Sequence, residues 1–227
     1  MKGNKFARVE QKYILDNNQY KKMQQLIDNY FLKDIYYESK ISNIYFDNKN
    51  NDLLINSIEK PLFKKKIRVR SYGEKDTMYF EIKEKYKGTV YKRRVKLSKQ
   101  EFDNYLNDGI IPSDKQIMKE IDYYVKYYKL EPYMYLAYDR LSYYSIEDSE
   151  FRITFDRDLR YRYDNLSLDI DKDNMNYFKD KKYIMEVKSL NSLPLWFVKF
   201  LSENKIYPQS FSKIGSIYVK EREMVLC

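Results

Sequence analysis

Charged and apolar residues alternate with a period of two through much of this chain. The segment KIRVR places Ile67 and Val69 between Lys66, Arg68 and Arg70. Successive side chains of a β-strand point to opposite faces, so this spacing predicts a strand with one apolar and one cationic face. The same pattern recurs at Arg8–Tyr13, Phe80–Lys83, Phe151–Asp156 and Met185–Lys188. Strands of this kind suggest a sheet with a cationic surface for a polyanion.

The spacing along the chain predicts eight strands and four helices. The strands lie at residues 6–13, 41–46, 63–72, 77–85, 89–97, 133–145, 150–157 and 183–189. Each helix begins at a polar or proline signal. The first helix covers residues 17–32 after Asp16, and the second is short and runs from Ser98 and Glu101 to Leu106. The third begins at Ser113 and Gln116 and ends before Pro132, and the fourth follows Ser192, with Pro194 in its first turn. The Asp- and Asn-rich segment 164–180 predicts a surface loop.

Many antiparallel strands with few helices predict an α+β fold, an antiparallel eight-stranded β tunnel or barrel with flanking helices. Two arrangements are open from the pattern alone. Either the apolar faces lie inside and the charges outside, or the charged faces line a tunnel and the apolar faces pack against helices. The helices favour the second arrangement because their apolar stripes need a partner surface. The length of 227 residues predicts a single domain over 1–227.

Composition narrows the chemistry. Forty-three Lys and Arg residues against 34 Asp and Glu give a net charge of +9, which favours an acidic partner. The lack of histidine excludes imidazole catalysis and His-ligated metals. The single cysteine, Cys227, excludes a disulfide framework and a Cys-based metal site. No apolar run approaches the roughly 20 residues of a membrane span, and the start lacks a signal-peptide pattern. We therefore expect a cytoplasmic protein without a membrane segment.

Ten short motifs then occur in an order that resembles a known family. They are Arg8–Tyr13, Tyr45–Asp47, Lys66–Tyr72, Glu81–Lys83, Lys92–Arg94, Tyr138–Arg140, Arg152–Asp156, Met185–Lys188, Pro194–Trp196 and Phe211–Lys213. As an ordered set they resemble the VTC (vacuolar transporter chaperone) polyphosphate polymerase domains, relatives of the CYTH or triphosphate tunnel enzymes. The resemblance runs from about Arg8 to Lys213.

That resemblance implies an eight-stranded tunnel whose basic interior binds triphosphate and polyphosphate. It implies a transferase that moves the γ-phosphoryl group of ATP to a growing polyphosphate chain, with Mn²⁺ or Mg²⁺ as cofactor. Carried over by position, the catalytic phosphate ligands are Lys12, Arg68, Arg70, Lys83, Arg140, Arg152 and Lys213. Further substrate-binding positions are Lys66, Lys92, Arg94, Lys188, Arg8 and Ser212. Glu186 matches the metal-binding glutamate, with Glu10 and Glu81 as further metal candidates.

Several of these roles have a structural alternative. Lys83 and Lys188 either bind phosphate or pair with Glu81 and Glu186, respectively. Glu10 either helps to bind a metal or is a counter-ion for neighbouring arginines. Asp47 and Asp156 are interpreted as turn or salt-bridge residues rather than catalytic ones. Tyr45, Tyr72 and Tyr138 are interpreted as supports of the tunnel wall, with stacking on adenine as the alternative.

Phosphoryl transfer needs positioned charge more than a covalent nucleophile, so the lack of histidine agrees with a polymerase. Three other functions remain open: hydrolysis of inorganic or nucleoside triphosphates, non-catalytic sensing of polyphosphate, and nucleic-acid binding. Arg8 stands where the related CYTH enzymes have the first of two glutamates, which favours the polymerase over the hydrolase. The cations alternate on many strands rather than along one helix, so we expect no nucleic-acid partner. Protein partners are not indicated.

Overall fold

The computed structural model describes residues 8–59, 61–74, 76–87, 89–168, 174–190 and 192–226. In chain order its elements are β1 (Arg8–Leu15), α1 (Asn17–Tyr30), β2 (Phe31–Asp47), α2 (Asp52–Ile58), β3 (Phe63–Ser71), β4 (Met78–Tyr86), β5 (Thr89–Leu97), α3 (Lys99–Asp108), α4 (Gln116–Tyr128), β6 (Glu131–Ser145), β7 (Arg152–Arg162), β8 (Met175–Asn176), β9 (Tyr183–Leu190), α5 (Leu195–Glu203) and α6 (Lys213–Leu226).

Eight of the described strands follow one another in a single sheet. Their order is β1-β9-β7-β6-β2-β3-β4-β5, and the two-residue β8 pairs with β7. The registers of β1 with β9, β9 with β7, β2 with β3, β3 with β4 and β4 with β5 are antiparallel. The predicted fold class, an α+β protein with an antiparallel eight-stranded β tunnel or barrel and flanking helices, is confirmed in its antiparallel sheet and flanking helices. Among the described strands β1 and β5 are the two ends of the order, so the sheet is not closed.

The chain divides into two compact units. The first contains the described residues of Met1–Ser39, Tyr138–Leu159 and Asn176–Phe211, and the second those of Lys40–Ala137, Arg160–Met175 and Ser212–Cys227. Strands β2, β6, β7 and β8 contribute residues to both units. That the whole chain is one domain stays a prediction.

In the first unit, the apolar strand faces pack against α1 and α5. Tyr13 of β1, Phe155 of β7 and Met185 of β9 share one core with Ile27 and Phe197 of the two helices. These strand residues alternate with the charged positions of the same strands, as period two requires. The apolar strand faces therefore lie against the helices, as the apolar stripes of the helices predicted.

The second unit repeats this arrangement with α3 and α4. Ile67 of β3, Phe80 of β4 and Leu97 of β5 form one core with Phe102 and Ile121 of the helices. Most cationic residues of β3, β4 and β5 occupy the alternate positions, on the opposite face of the strands. Lys65 and Arg93 instead lie on the helix side, where both pair with Glu84. Burial of the apolar face thus fixes the direction in which Arg68, Lys83 and Arg94 point.

Two predicted helix caps are confirmed and one is wrong. At α1 the Asp16 carboxylate accepts a hydrogen bond from the Gln19 amide at 2.8 Å, and the Gln19 side chain accepts one from the Asp16 amide, which makes a capping box. Ser98 and Glu101 form a capping box of the same kind at the start of α3. Ser113 does not cap α4, because α4 begins after Lys115 and the Ser113 hydroxyl accepts from the Lys115 amide at 3.3 Å. A single local hydrogen bond therefore replaced the predicted box.

Other element boundaries also differ. Strand β2 begins at Phe31 rather than at residue 41, and α1 ends at Tyr30. Helices α2 and α6 were not predicted, and α5 begins after Pro194 rather than including it. The predicted loop 164–180 contains β8, and residues 169–173 lie outside the described part of the chain. Among the described residues, no helix is both long and apolar enough to cross a bilayer.

Replacing Leu97 by alanine tests the apolar face. Leu97 is 2% exposed, so we expect Leu97→Ala to lower the free energy of unfolding by about 2–5 kcal/mol. The neighbouring Lys96 is exposed on the other face, and Lys96→Ala should change that free energy by about 0.5 kcal/mol or less. Urea denaturation measures both values. Equal losses in the two variants would contradict the assignment of the faces.

Candidate functional site

Most of the predicted phosphate ligands of the second unit lie on one strand face. This Arg68 cluster is defined as Tyr45, Lys66, Arg68, Arg70, Glu81, Lys83, Lys92 and Arg94. In the register of the strands, Arg68 stands opposite Glu81, and Glu81 opposite Arg94. Residues opposite one another on antiparallel strands point to the same side, so the three charges form a row across β3, β4 and β5.

Glu81 is the counter-charge of this row, and its side chain is fully buried. Arg68 donates from Nε and Nη2 to Glu81 Oε2, at 2.9 Å each, and the Lys92 Nζ lies 2.7 Å from Oε1. Burial alone would raise the pKa of Glu81, but the charges of Arg68, Arg70 and Lys92 outweigh it and lower the pKa. The carboxylate is therefore ionised, and it orients the Arg68 guanidinium. Its predicted metal-binding role stays a prediction.

Two residues of β2 complete the positioning of the arginines. Arg68 also donates from Nη1 to the Tyr45 hydroxyl at 2.9 Å. Arg70 donates from Nε to Asn43 Oδ1 at 2.8 Å, and the buried Asn43 in turn donates to the Leu136 carbonyl at 2.9 Å. Sequence reasoning missed both bonds. The available signal was the period-two spacing of Asn43 and Tyr45, which indicates one shared face.

A second row of this face consists of three lysines. Lys66 stands opposite Lys83, and Lys83 opposite Lys92. Like charges directly opposite each other destabilise a sheet, so this row favours a bound anion. Lys66 donates from Nζ to the Ser212 hydroxyl at 2.9 Å, and Lys213 follows as the first residue of α6. The predicted Ser212 therefore lies beside the lysine row.

The first unit holds a separate set, the Glu186 cluster, defined as Lys12, Arg140, Asp156, Glu186 and Lys188. Lys12 stands opposite Glu186, and the Lys188 Nζ lies 2.7 Å from Glu186 Oε1. Arg140 binds the buried Asp156 through two bonds of 2.6 and 2.8 Å, which confirms the salt-bridge interpretation of Asp156. This cluster contains nearly as many carboxylates as cations.

Glu186 is 9% exposed and remains charged. Burial would raise its pKa, but Lys188, Arg140 and Lys12 together hold the pKa of this carboxyl far below its usual range. An ionised carboxylate of this kind is a suitable ligand for a hard divalent cation.

The residues around Glu186 fit a Mg²⁺ or Mn²⁺ ion that is shared with phosphate. Among the described residues, no three His, Cys, Asp or Glu side chains form a cage for a metal. Magnesium usually binds one or two carboxylates and takes its other oxygens from water and phosphates. Glu10, opposite Lys188, shares the face of Glu186 at a diagonal position. Thr154, directly opposite Glu186, has a buried hydroxyl without a hydrogen-bond partner among the described residues.

Other predicted ligands lie at the margins of these clusters. Lys12 donates from Nζ to the Phe211 carbonyl at 3.3 Å, which ties it to the Phe211–Lys213 motif. Arg152 is exposed and donates from Nε to the Ser149 carbonyl at 3.0 Å, so its guanidinium lies near a turn. Arg8 opens β1 opposite Leu190, and its side chain lies outside the described part of the chain.

Comparison with known proteins agrees with this geometry. The chain matches the family model of the VTC domain over residues 7–219. The chain belongs to the VTC domain family. The match confirms the resemblance drawn from the ten motifs and supports a polyphosphate-related fold. Comparison with curated protein sequences gives no match.

Two solved structures are similar to this VTC domain. One is a candidate adenylate cyclase from Bacillus halodurans, with a TM-score of 0.57 and 16% identity, covering 90% of this chain and 93% of that chain. The other is a candidate adenylate cyclase from Vibrio parahaemolyticus, with a TM-score of 0.47 and 10% identity, covering 90% of this chain and 94% of that chain. At this identity, the first likeness supports the fold alone.

The role of Glu81 as counter-charge predicts a stability that depends on pH. Because its folded pKa lies below the ordinary 4.5, Glu81 stabilises the protein above that value, and the contribution is lost as the pH falls through the folded pKa. At pH 7 we expect Glu81→Gln to lower the free energy of unfolding by about 3 kcal/mol, since Arg68 loses its buried partner. The deficit should shrink below about pH 4.5.

Urea denaturation at neutral and acidic pH measures this deficit. Glu147→Gln, at an exposed position, is the control and should change the free energy of unfolding by about 0.5 kcal/mol or less. A deficit for Glu81→Gln that stays constant down to about pH 3 would show that the ion pair does not cause it.

Proposed function

We propose that this VTC domain is a polyphosphate polymerase. It transfers the γ-phosphoryl group of ATP to the end of a growing inorganic polyphosphate chain. The P–O bond between the β- and γ-phosphates breaks, a terminal oxygen of the acceptor forms the new P–O bond, and ADP leaves. The observation that carries this proposal is the cationic face of β3, β4 and β5, with its lysine row beside Arg68, Glu81 and Arg94.

The charge balance of the Arg68 cluster supports a polyanionic ligand. Six of its side chains are basic and one, Glu81, is a carboxylate. The excess positive charge repels itself unless an anion or water screens it. A triphosphate or polyphosphate supplies many negative oxygens at short spacing, and it therefore compensates several cations at once. We assign Lys66, Lys83, Lys92 and Arg94 to this binding.

The two arginines of β3 suit the transferred group. Glu81 and Tyr45 hold Arg68, and Asn43 holds Arg70, so both guanidinium groups are oriented before substrate arrives. Phosphoryl transfer proceeds through a loose transition state that spreads charge over the phosphoryl oxygens. Preorganised donors stabilise such charge without rearranging during the reaction. Arginine and lysine side chains therefore suffice, and no covalent nucleophile is required.

Glu186 is the residue that we assign to Mn²⁺ or Mg²⁺, with Glu10 on the same strand face as its helper. When bound, such an ion would supply positive charge that neutralises the phosphates. Lys12, Arg140 and Lys188 keep Glu186 ionised. We also assign Lys12 and Lys188 to phosphate binding. The use of ATP agrees with the cytoplasmic location that the sequence predicts.

Purified protein with ATP and Mn²⁺ should lengthen an added polyphosphate primer. Gel electrophoresis should show a ladder of products above the primer, and a chelator should abolish it, because the phosphate charges then lack a counter-ion. Release of orthophosphate without elongation would contradict the polymerase and support a triphosphate hydrolase. Primer binding without turnover would support a polyphosphate sensor.

Arg94 and Arg93 form a matched pair of variants for this assay. Their side chains are 47% and 46% exposed, but they point to opposite faces of β5. Arg94→Ala should lower kcat/KM by roughly ten- to hundredfold, the range for losing one hydrogen bond to a charged group. Arg93 instead pairs with Glu84 and Glu120, at 2.7 Å each, and Arg93→Ala should keep the wild-type rate. Equal losses in the two variants would argue against phosphate binding on the Arg94 face.

Replacing Glu186 by glutamine tests the metal assignment. We expect Glu186→Gln to raise the Mn²⁺ concentration for half-maximal activity by at least about tenfold, since an amide binds a hard cation less well. Initial rates across a Mn²⁺ titration measure this. Asp156→Asn, in the same cluster, should lower the rate through Arg140 but leave the Mn²⁺ midpoint in place. An unchanged midpoint in Glu186→Gln would remove the ligand role.

A further inference from the structure

The hydroxyl of Tyr45 has one hydrogen bond and one hydrogen left to donate. Tyr45 is 6% exposed, and its oxygen accepts from Arg68 Nη1 at 2.9 Å. Among the described residues, none accepts the hydrogen of this hydroxyl. Buried tyrosine hydroxyls normally donate as well as accept, so the Tyr45 hydroxyl lacks an acceptor among the described residues of the second unit.

Positive charge dominates the surroundings of this hydroxyl. Lys66, Arg68 and Arg70 of the adjacent β3 act on it most strongly. On the same strand face lie Asp47 of β2, Lys64 of β3, Tyr79, Glu81, Lys83 and Lys85 of β4, and Lys92, Arg94 and Lys96 of β5, and the adjacent β6 carries Glu131, Tyr133 and Tyr135.

None of the acidic side chains in that set accepts a hydrogen bond from Tyr45 among the described residues. Asp47 accepts from the backbone amides of Leu53 and Leu54, and Glu81 binds Arg68 and Lys92. Glu131 is exposed at the start of β6. The hydroxyl of Tyr45 therefore meets cations that are arranged for an anion, and a phosphate oxygen bound to Arg68 would be close enough to accept its hydrogen.

We propose that Tyr45 is a phosphate ligand of the Arg68 cluster, donating its hydroxyl hydrogen to a phosphate oxygen while Arg68 donates to its own oxygen. This rests on the proposed function only in taking a triphosphate or polyphosphate as the ligand. It replaces the interpretation of Tyr45 as a wall residue.

A proton linkage follows from the same arrangement. Burial by itself raises the pKa of Tyr45, but the charges of Arg68, Lys66 and Arg70 outweigh it and lower the pKa to about 7. Above that pH the free protein holds a phenolate, which would repel phosphate. A bound triphosphate raises the pKa again, because nearby negative charge disfavours the phenolate. Binding therefore takes up one proton from solvent, and affinity falls as the pH rises above about 7.

Titration with sodium tripolyphosphate in the absence of metal tests the proposal. At about pH 8, one unit above the pKa, most of Tyr45 is phenolate, and the near-ultraviolet tyrosinate absorbance should fall on binding by up to one tyrosinate per chain. Calorimetry of the same titration gives the affinity. Tyr45→Phe should abolish the absorbance change and weaken binding at about pH 6 by roughly tenfold, the effect of one lost hydrogen bond to a charged group.

Tyr72→Phe is the matched control. Tyr72 lies beside Arg70, which also lowers its pKa although burial opposes this, so Tyr72 is a second candidate source of a tyrosinate signal in this unit. The signal should survive in Tyr72→Phe. An absorbance change that persists in Tyr45→Phe overturns the assignment.

The wild-type protein separates this inference from the proposed function. Tripolyphosphate binding without any change in tyrosinate absorbance overturns the role of Tyr45 and leaves the polymerase in place. Failure of tripolyphosphate to bind at all overturns both. Circular dichroism of Tyr45→Phe checks that lost binding does not reflect unfolding.

Discussion

The ion pair between the buried Glu81 and Arg68 is the interaction on which the basic face of the second unit depends. A guanidinium that is 13% exposed is poorly solvated, and its charge is tolerable on this face because a carboxylate lies 2.9 Å away. The other cations around Glu81 contribute less. Lys92 and Arg94 are 37% and 47% exposed, so water screens their attraction to the carboxylate. Glu81 thus fixes one arginine firmly and leaves its neighbours free to respond to a ligand.

The two clusters differ in charge balance, and this difference indicates different partners. In the Glu186 cluster, Asp156 neutralises Arg140, and Glu186 faces Lys12 and Lys188. Its net charge is small, and it is the cluster to which we assign the proposed metal ion. In the Arg68 cluster a single carboxylate opposes many cations, so the natural partner is an anion. Counting the basic residues of the whole chain would not have separated these two cases.

Period-two alternation was enough to predict most strands and their basic faces, because burial of Ile67 or Phe80 forces the intervening side chains to the other side. The alternation of apolar and charged residues does not identify a strand when neither of its faces is buried. The first half of β2 is mostly exposed, so it carries no such signal and was missed. Helix α6 contains Gly215 and several β-branched residues, which weakens its helical pattern. The roles of Asn43 and Tyr45 depend on the register of β2 against β3, and one sequence does not specify that register.

The division between arginine and lysine on the β3–β5 face matches the demands of the proposed polymerisation. The reacting phosphate must be held still, and the two arginines of β3 are held by bonds to Glu81, Tyr45 and Asn43. The polymer, in contrast, must advance by one phosphate in each cycle. Lysines are flexible point charges that can follow a moving anion, unlike a bidentate fork. Neighbouring strands lie roughly 5 Å apart and alternate residues roughly 7 Å apart along a strand, so a phosphate leaving one lysine is already within the field of the next.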